Sequence, residues 1–269
     1  ATTLAGALRD SGLDAVDARA LLRHVIGRDE AWLISHPDQQ LSAKEQEAYA
    51  TLRARRAAGE PVAYLTGSRE FFSLVFKVTP AVLVPRPETE LLVETGLERT
   101  PADASWRVLD LATGCGCVAI AIARQRPRAQ VTATDVSPAA LAVARENAAR
   151  HGVNIEFVES DWFKALSGKR FDVIVANPPY IAADDPHLDE GDLRFEPRYA
   201  LVAGSAGLDG IEVIVEQSPR HLAAGGWLLF EHGHEQGACS RVLLTAAGYD
   251  DIVTFRDLAD IERVSGGRV

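Results

Sequence analysis

Four consecutive residues, Asn177-Pro178-Pro179-Tyr180, have the types and order needed to hold a planar amide or amino nitrogen for methylation. The lone pair of such a nitrogen is delocalised, so it must be turned toward the incoming methyl carbon. The Asn177 side-chain oxygen and the Pro178 carbonyl can accept its two N–H hydrogens, and both bind more tightly as positive charge develops on nitrogen. The prolines keep the turn rigid, and Tyr180 can stack on the flat amide. We predict a catalytic turn, with a purely structural proline-rich turn as the alternative.

A second candidate site covers residues 109–116, at the end of a predicted strand. Small residues in this turn would let the backbone approach a ligand closely, and the following helix offers its amino end. The Asp110 carboxylate would repel a pyrophosphate but suits a ligand with an ammonium or sulfonium group. The Gly114-Cys115-Gly116 pattern alone fits an ordinary tight strand-to-helix turn equally well.

Two further strand ends carry side chains suited to an adenosine ligand. Asp135 lies about 20 residues beyond the turn, where a carboxylate can accept from both ribose hydroxyls. Asp161 can accept from the adenine amino group, and Trp162 supplies an apolar wall for the ring. Taken singly, Asp135 could be a helix cap or a surface carboxylate, and Trp162 could pack in the core. An adenosyl ligand across the carboxyl edge of a sheet accounts for all of these positions.

An adenosyl compound with a sulfonium methyl donor is S-adenosylmethionine, which becomes S-adenosylhomocysteine, and we predict that it is the cofactor. The predicted cofactor-binding residues are Asp110, Ala112, Thr113, Gly114, Cys115, Gly116, Asp135, Asp161, Trp162 and Asn177. The predicted catalytic and substrate-binding residues are Asn177, Pro178, Pro179 and Tyr180.

The first 65 or so residues predict a small helical bundle that precedes these sites. Apolar positions from Ala18 to Val25 follow helical spacing and end at Gly27, a plausible C-terminal cap. Ser42 and Glu45 form a capping-box pattern for a further helix, which ends near residue 59.

Strand signals appear from residue 72 onward. Alternating apolar residues from Phe72 to Val78, resumed at 82–84 after Pro80, predict a β-hairpin. A helix is predicted over 89–99, and the alternation of strands and helices that follows implies a parallel sheet with helices on both faces. The predicted strands are 108–111, 131–134, 155–158, 173–176 and 227–230, with a helix over 138–150 and a closing antiparallel hairpin at 252–255 and 262–264.

The composition is that of an ordinary globular protein. A net charge of −10, most of it after residue 60, argues against tight binding to a nucleic-acid backbone. No apolar run is long enough to span a membrane, and the first ten residues do not form a signal-peptide pattern. Three cysteines do not make a disulfide framework, so we expect a reducing, cytoplasmic setting.

Three other groups of residues receive structural interpretations. Cys115 and Cys117 lack the spacing of a zinc site, so no metal is predicted. His232 and His234 are interpreted as structurally hydrogen-bonded or exposed. A run of arginines is interpreted as a helix-end charge pattern, with contact to a partner or its RNA as the alternative: Arg53, Arg55 and Arg56.

With these residues in place, the chain resembles the HemK/PrmC family, the protein-(glutamine-N(5)) methyltransferases of peptide chain release factors, over nearly its whole length. The 177–180 turn is shared with adenine-amino DNA methyltransferases, whereas the 85–90 and 194–201 blocks single out this family. The segments that carry the resemblance are Gly59-Glu60-Pro61, Leu65-Thr66-Gly67, Arg69-Glu70-Phe71, Pro85-Arg86-Pro87-Glu88-Thr89-Glu90, Asn177-Pro178-Pro179-Tyr180, Arg194-Phe195-Glu196-Pro197, Ala200-Leu201 and Glu231-His232-Gly233.

The resemblance implies that the substrate is the glutamine of a release factor's Gly-Gly-Gln loop and that the helical domain helps to dock that factor. It also implies that residues 177–180 hold the glutamine amide, while the 112–116 turn, Asp135 and Trp162 hold the cofactor. The chain departs from the family pattern at Ala112, where glycine is usual, and at Cys115, where serine or threonine is usual. Alanine requires a φ below zero unless it is strained, so we expect cofactor affinity to differ somewhat.

We therefore predict an α/β enzyme with a Rossmann-like class I methyltransferase fold, a seven-stranded, mostly parallel sheet, a small N-terminal helical bundle and a β-hairpin linker. The expected divisions are 1–68 for the helical substrate-docking domain, 69–87 for the linker and 88–269 for the methyltransferase domain. The expected partners are release factors of translation termination, with no direct sequence-specific nucleic-acid binding and no membrane, and the chain is expected to be a monomer. The alternatives are an adenine-amino DNA methyltransferase, a nicotinamide dehydrogenase and a non-catalytic module that docks on the translation machinery.

Overall fold

The computed structural model describes residues 2–269, which form two compact units. The first unit comprises the chain up to Ser68 together with Pro186–Phe195, and the second comprises Arg69–Asp185 together with Glu196–Val269. The sequence did not indicate that 186–195 groups with the N-terminal helices, because its short 3-10 turns carry no periodic apolar pattern. The three-part division at residues 68 and 87 stays a prediction.

Helices make up most of the first unit, as predicted. They are α1 (Leu4–Arg9), α2 (Ala15–Ile26), α3 (Glu30–Ser35), α4 (Ala43–Ala57) and α5 (Val62–Thr66). Their apolar faces enclose one core, whose buried members include Leu4, Leu21, Leu22, Leu33, Leu41 and Tyr49. The N-terminal helical bundle is therefore confirmed.

Both predicted helix-end signals are present in this unit. Gly27 ends α2 in the left-handed conformation, with a φ of 64°. The Ser42 hydroxyl accepts from the Glu45 N–H at 3.3 Å, while the Glu45 carboxylate accepts from the Ser42 N–H at 2.8 Å. This reciprocal pair satisfies two N–H groups that the first turn of α4 leaves without a helical partner.

The three arginines near the end of α4 all have partners within the first unit. Arg55 and Arg56 form ion pairs, and Arg53 donates to a backbone carbonyl. Their partners are the Asp10 carbonyl and the carboxylates of Glu60, Asp17 and Asp192. Because Asp192 lies in the 186–195 segment, its 2.6 Å contact with Arg56 helps to hold that segment to the helices.

The β-hairpin is present, but its strands differ from those predicted. It consists of β1 (Ser68–Phe71) and β2 (Leu74–Lys77), while Phe72 and Ser73 form the turn with φ values of 50° and 59°. The predicted strand over 72–78 is therefore shortened to Leu74–Lys77, and the predicted strand at 82–84 does not form. A Phe-Ser pair is not a recognisable turn signal, since two-residue turns with positive φ usually contain glycine or asparagine. The turn is held instead by a distant side chain, because the Phe72 N–H donates to the Glu90 carboxylate at 2.8 Å.

The second unit is built on one large sheet. Its strands are β3 (Arg107–Leu111), β4 (Gln130–Asp135), β5 (Glu156–Glu159), β6 (Phe171–Ala176), β7 (Leu222–Glu231), β8 (Asp250–Arg256) and β9 (Glu262–Arg268). Within residues 2–269, these seven strands lie in the order β5-β4-β3-β6-β7-β9-β8. The first five of them are parallel neighbours, and β9 runs antiparallel to β7 and β8. The seven-stranded, mostly parallel sheet is confirmed.

Helices cover this sheet and complete the α/β fold. They are α6 (Glu90–Arg99), α7 (Cys117–Gln125), α8 (Pro138–His151), α9 (Asp209–Gln217) and α10 (Gly237–Ala246). The chain reverses its winding direction between β3 and β6, and such a switch point opens a crevice at the carboxyl ends of the strands. Across residues 2–269, no helix combines the length and apolarity that crossing a bilayer requires.

Replacing Ser42 with alanine removes the hydroxyl cap of α4. We expect the helix to lose about 1 kcal/mol of stability, because one N–H of its first turn then has no protein partner. Amide hydrogen exchange in α4 should accelerate about fivefold. The control is Thr51→Ala in the middle of α4, where the hydroxyl donates only to the Glu47 carbonyl within the helix. Equal acceleration in both variants would contradict the capping role.

Candidate active site

A cavity of about 160 Å³ opens at the carboxyl ends of the parallel strands in the second unit. Residues that follow β3, β4, β5 and β6 line it, together with residues of the 82–89 and 199–200 segments. Predicted site residues in the lining are Asp110, Ala112, Thr113, Gly114, Cys115, Asp135, Asp161, Trp162, Asn177 and Pro179. The other three predicted residues, Gly116, Pro178 and Tyr180, lie outside this lining.

Asp110 is buried at the end of β3, where it is 1% exposed. One carboxylate oxygen accepts from the Thr113 hydroxyl at 2.6 Å and from the Ala119 N–H at 3.2 Å. Burial raises the pKa of the Asp110 carboxyl to about 7, and the nearby Asp135 carboxylate contributes in the same direction. A bound cation would favour the ionised form, in line with the predicted preference for an ammonium or sulfonium group.

Ala112 adopts the left-handed backbone conformation, with a φ of 56°. The negative φ that alanine ordinarily requires is absent, and this conformation costs about 1–2 kcal/mol for a residue with a Cβ. Backbone hydrogen bonds fix the turn, since the Thr113 N–H donates to the Thr134 carbonyl at 2.9 Å and the Gly116 N–H donates to the Thr113 carbonyl at 2.8 Å. The strain therefore lies directly in the wall of the cavity.

The two glycines of the turn have different surroundings. A Cβ on Gly116 would lie 3.1 Å from the Ala144 Cβ and the Ile120 Cδ1, so the missing side chain allows α7 and α8 to pack closely. A Cβ on Gly114 would meet no protein atom within 4 Å, and Gly114 lines the cavity. Gly114 therefore exposes its backbone to the cavity, whereas Gly116 serves packing.

Asp135 connects the Gly-x-Gly turn to the start of α8. Its Oδ2 accepts from the Gly114 N–H at 2.9 Å, and its Oδ1 accepts from the Ser137 N–H at 2.9 Å. The cap of α8 is Ser137, whose hydroxyl accepts from the Ala140 N–H at 3.2 Å, so Asp135 is not the helix cap. Burial raises the pKa of Asp135, although the N–H donors oppose this effect.

Asp161 and Trp162 differ in how firmly they are placed. The exposed Asp161 carboxylate pairs with the Lys164 ammonium at 2.6 Å. Trp162 is partly buried with a φ of 50°, and its ring packs against the core and Gly210 of α9 while also lining the cavity. The Trp162 ring therefore packs against the core and also lines the cavity, and its role as a wall for the adenine ring stays a prediction.

The residues of the 177–180 turn face different parts of the second unit. Asn177 lines the cavity, and its Nδ2 donates to the Thr89 Oγ1 at 3.1 Å. Pro178 is buried against Gly210, and Pro179 lines the cavity. The Tyr180 hydroxyl donates to the Glu231 Oε1 at 3.0 Å, and burial raises the Tyr180 pKa far above its ordinary value. The acceptor role of the Pro178 carbonyl and the stacking role of Tyr180 stay predictions.

Sequence reasoning assigned no role to the side chains that join the two loops at the cavity. The Tyr199 hydroxyl donates to the Ala81 carbonyl at 2.8 Å. Arg86 forms an ion pair with the buried Glu196 carboxylate, which also accepts from the Val84 N–H at 3.0 Å. These residues lie in or beside the 85–90 and 194–201 blocks, so the resemblance marked the region without indicating what the side chains do.

The remaining candidates have structural surroundings. His232 is buried, with its Nε2 2.9 Å from the Ser265 hydroxyl, and His234 is exposed, as interpreted from the sequence. The neighbouring Cys115 and burial hold the pKa of Cys117 well above its ordinary value, so it is a thiol and not the thiolate that binds metals. In the part of the chain that the structure describes, no cluster of three or more His, Cys, Asp or Glu side chains is arranged to hold a metal ion.

Comparisons with known proteins match both parts of the chain. The PrmC N-terminal domain model matches residues 3–67, and the Methyltransferase small domain model matches residues 87–190. A release factor glutamine methyltransferase of Burkholderia pseudomallei is 54% identical over 99% of this chain and 96% of that protein. Its counterpart in Bordetella pertussis is 49% identical, with 99% of each chain covered.

Solved structures share the fold. A methyltransferase from Pyrococcus furiosus gives a TM-score of 0.55 at 19% identity, covering 81% of this chain and 98% of that one. At this identity the similarity shows the Rossmann-like methyltransferase fold alone.

Replacing Ala112 with glycine should relieve the strain in the turn. We expect the free energy of unfolding to rise by about 0.5–1 kcal/mol, since the relief outweighs the greater chain entropy of glycine in the unfolded state. Urea denaturation measures the change. Ala133→Gly, the same substitution at a buried position in β4, is the control and should destabilise the protein. Destabilisation of similar size in both variants would show that Ala112 is unstrained.

Proposed function

The chain belongs to the release factor glutamine methyltransferase family, and we propose the residues through which it carries out that reaction. The enzyme transfers a methyl group from S-adenosylmethionine to the side-chain amide nitrogen of a release factor glutamine. One observation carries the assignment of residues. Asp110, Asp135, Trp162 and Asn177, which follow or end four different strands, all line one cavity.

The chemistry of the lining fits the cofactor, which supplies an electrophilic methyl group on a positively charged sulfur when it is bound. Two buried carboxylates suit a ligand that carries both cationic groups and ribose hydroxyls. We assign Asp110 to the cationic end and Asp135 to the ribose hydroxyls, with Trp162 against the adenine ring. Asp161 would accept from the adenine amino group, and the strained 112–115 turn would offer its backbone. Gly116 is assigned to helix packing.

We assign Asn177, which also lines the cavity, to holding the substrate nitrogen. In this proposal its Oδ1 accepts one amide N–H and the Pro178 carbonyl accepts the other, so that the nitrogen lone pair faces the methyl carbon. The bound cofactor would supply the methyl group to this nitrogen, and the surplus proton would pass from the nitrogen to water. Both oxygens bind the N–H groups more tightly as nitrogen becomes positive, which lowers the barrier. No general base is required, because an N-alkylated, N-protonated amide is strongly acidic.

The proposal also covers the substrate loop, the docking of the release factor, the oligomeric state and the cellular compartment. We place the reacting glutamine in the Gly-Gly-Gln loop of the release factor, and we assign docking of that factor to the helical unit. The enzyme would act as a monomer in the cytoplasm, without sequence-specific binding of nucleic acid, which the net charge of −10 disfavours. The three-part division into docking domain, hairpin linker and methyltransferase domain belongs to this proposal.

An adenine amino group could occupy the same turn, since it also presents two N–H hydrogens on a planar nitrogen. The two relatives that are 54% and 49% identical to this chain, each over 99% of it, are named for glutamine methylation. Their names favour the glutamine amide over adenine as the methyl acceptor. Duplex DNA offered in place of a release factor distinguishes the two acceptors.

Incubation of a release factor with the enzyme and S-adenosylmethionine should add one methyl group to the glutamine of the Gly-Gly-Gln loop. Mass spectrometry of peptides locates the methyl group. Asn177→Ala should lower turnover by at least about 100-fold while cofactor binding stays measurable. Asn154→Ala, at an exposed asparagine, is the control. Methylation at another residue would overturn the acceptor assignment, and equal loss of turnover and cofactor binding would show that Asn177 is mainly a cofactor ligand.

Cofactor affinity should fall as the pH decreases below 7, because the pKa of Asp110 in the free protein is about 7. A cationic ligand favours the ionised carboxylate, so binding below this pKa must release a proton, and the affinity loses up to about tenfold per pH unit. Two side chains near Asp110 also shift its pKa, since the Thr113 hydroxyl lowers it and the Asp135 carboxylate raises it. The Asp110 charge in turn raises the pKa of the nearby Cys117 thiol.

Calorimetric titration between pH 5.5 and 7.5 measures this dependence, a range in which the cofactor's own α-amino group, with a pKa of about 7.7–8.0, stays mostly protonated. Asp110→Asn should bind more weakly and show a flatter pH profile. A profile equal in slope to that of the unmodified enzyme would place the titrating group elsewhere.

A further inference from the structure

Two buried side chains outside the predicted site connect the ends of the 177–180 turn. Thr89, which is 2% exposed and immediately precedes α6, accepts from the Asn177 Nδ2 at 3.1 Å. Glu231, which is 1% exposed at the end of β7, accepts the Tyr180 hydroxyl at 3.0 Å. Both belong to segments that carry the family resemblance, and the sequence alone indicates no role for either.

The Thr89 hydroxyl also lies near the Glu231 carboxylate, since interactions with it and with the Tyr180 hydroxyl lower the pKa of Glu231. The four groups therefore form one line that runs from the Asn177 amide to Thr89, on to Glu231 and back to Tyr180. The turn that would hold the substrate is thus tied at both ends to one buried acid.

We propose that Thr89 and Glu231 are positioning residues for methyl transfer, which fix the Asn177 carboxamide with its oxygen toward the substrate nitrogen. This inference rests on the proposed function, since it assigns how Asn177 is prepared for the glutamine amide. Thr89 lines the cavity beside Asn177, whereas Glu231 is not part of its lining. Both act through Asn177 and Tyr180.

The orientation of Asn177 follows from counting hydrogens. An asparagine side chain is nearly symmetric in shape, and rotation by half a turn exchanges an acceptor for a donor. The Thr89 hydroxyl has one hydrogen, and when that hydrogen is directed to Glu231 the oxygen can only accept from Asn177. The Nδ2 is thereby held on the Thr89 side, and Oδ1 is left to accept from an N–H in the cavity. The reversed amide would set N–H groups against the N–H groups of the substrate.

The charge of Glu231 gives the line a second effect. A hydrogen bond to a carboxylate polarises the donor, and the polarisation passes along a chain of hydrogen bonds. The Asn177 Oδ1 would then be a stronger acceptor at the moment when the substrate nitrogen becomes positive. The Arg263 guanidinium lowers the pKa of Glu231, and the Glu88 carboxylate raises it. Arg86 lowers the pKa of Tyr180.

The surroundings of Glu231 are costly for a merely structural residue. Burial raises the pKa of the carboxyl to about 7, and its Oε2 has no hydrogen-bond partner among residues 2–269. Buried acceptors left without a partner destabilise a fold and are rare in native proteins. A catalytic requirement for negative charge behind Asn177 explains why a carboxylate stands at this position.

The test compares steady-state methylation of a release factor by the unmodified enzyme and by three variants, two at Thr89 and one at a control position. Thr89→Val keeps the shape of the side chain but removes the hydroxyl, and we expect kcat to fall about 10–100-fold with KM for both substrates and the cofactor Kd within about twofold. Thr89→Ser restores the hydroxyl and should recover kcat to within about threefold of the unmodified enzyme. Thr95→Val removes another buried hydroxyl, which donates only within α6, and should leave kcat unchanged.

A second set of variants tests the role of the Glu231 carboxylate. Glu231→Gln keeps the shape and removes the charge, and Tyr180→Phe removes the hydroxyl that it holds. Both should lower kcat more than they weaken cofactor binding. Tyr249→Phe, at a buried tyrosine whose hydroxyl donates to the Val215 carbonyl at 3.2 Å, is the matched control and should retain activity. These variants decide the matter if Thr89→Val does not fold.

The outcomes separate the inference from the proposed function. If the unmodified enzyme methylates the release factor while Thr89→Val and Glu231→Gln match Thr95→Val in kcat, the positioning role is overturned and the function stands. A loss in KM alone, or a loss that Thr89→Ser does not restore, overturns the role as well. If the unmodified enzyme transfers no methyl group to a release factor, the proposed function itself fails.

Discussion

The site depends on the parallel register of three adjacent strands. Leu111 of β3 pairs with Thr134 of β4 on one side and with Ala176 of β6 on the other. The next residue of each strand or turn therefore emerges at the same level of the sheet edge: Ala112, Asp135 and Asn177. A slip of one residue would turn each side chain toward the opposite face of the sheet. The fold thus determines which chemistry meets at the switch point before any side-chain hydrogen bond forms.

Buried acids give this edge its electrostatic character. Asp110, Asp135 and Glu231 each have a raised pKa for which burial is the largest cause. N–H and hydroxyl donors from neighbouring turns lower the pKa of Asp110 and Asp135 and so oppose the effect of burial. A methyl transfer from sulfonium to nitrogen moves positive charge through this region. The arrangement suits both the cationic donor and the acceptor that becomes positive.

The sequence revealed those parts of the molecule that local patterns encode. Strand and helix periodicity predicted the sheet, and the spacing of Ser42 and Glu45 predicted the capping box. Polar residues at strand ends indicated the cavity. Long-range contacts were not readable in this way. The hairpin turn at Phe72-Ser73 is held by the distant Glu90, and Thr89 and Glu231 meet Asn177 only after the chain has folded. Likewise, no local rule places alanine at a positive φ, because the tertiary hydrogen bonds around residue 112 impose it.

The hydrogen bond from the Phe72 N–H to Glu90 has a consequence for how such chains vary. It joins the two ends of residues 72–90, which include β2, into a closed loop, and Thr89 lies at the last position inside that loop. Adding or removing a residue within this loop would rotate the start of α6 and displace the Thr89 hydroxyl from the Asn177 amide. Evolution should therefore conserve the length of this segment more strictly than its composition.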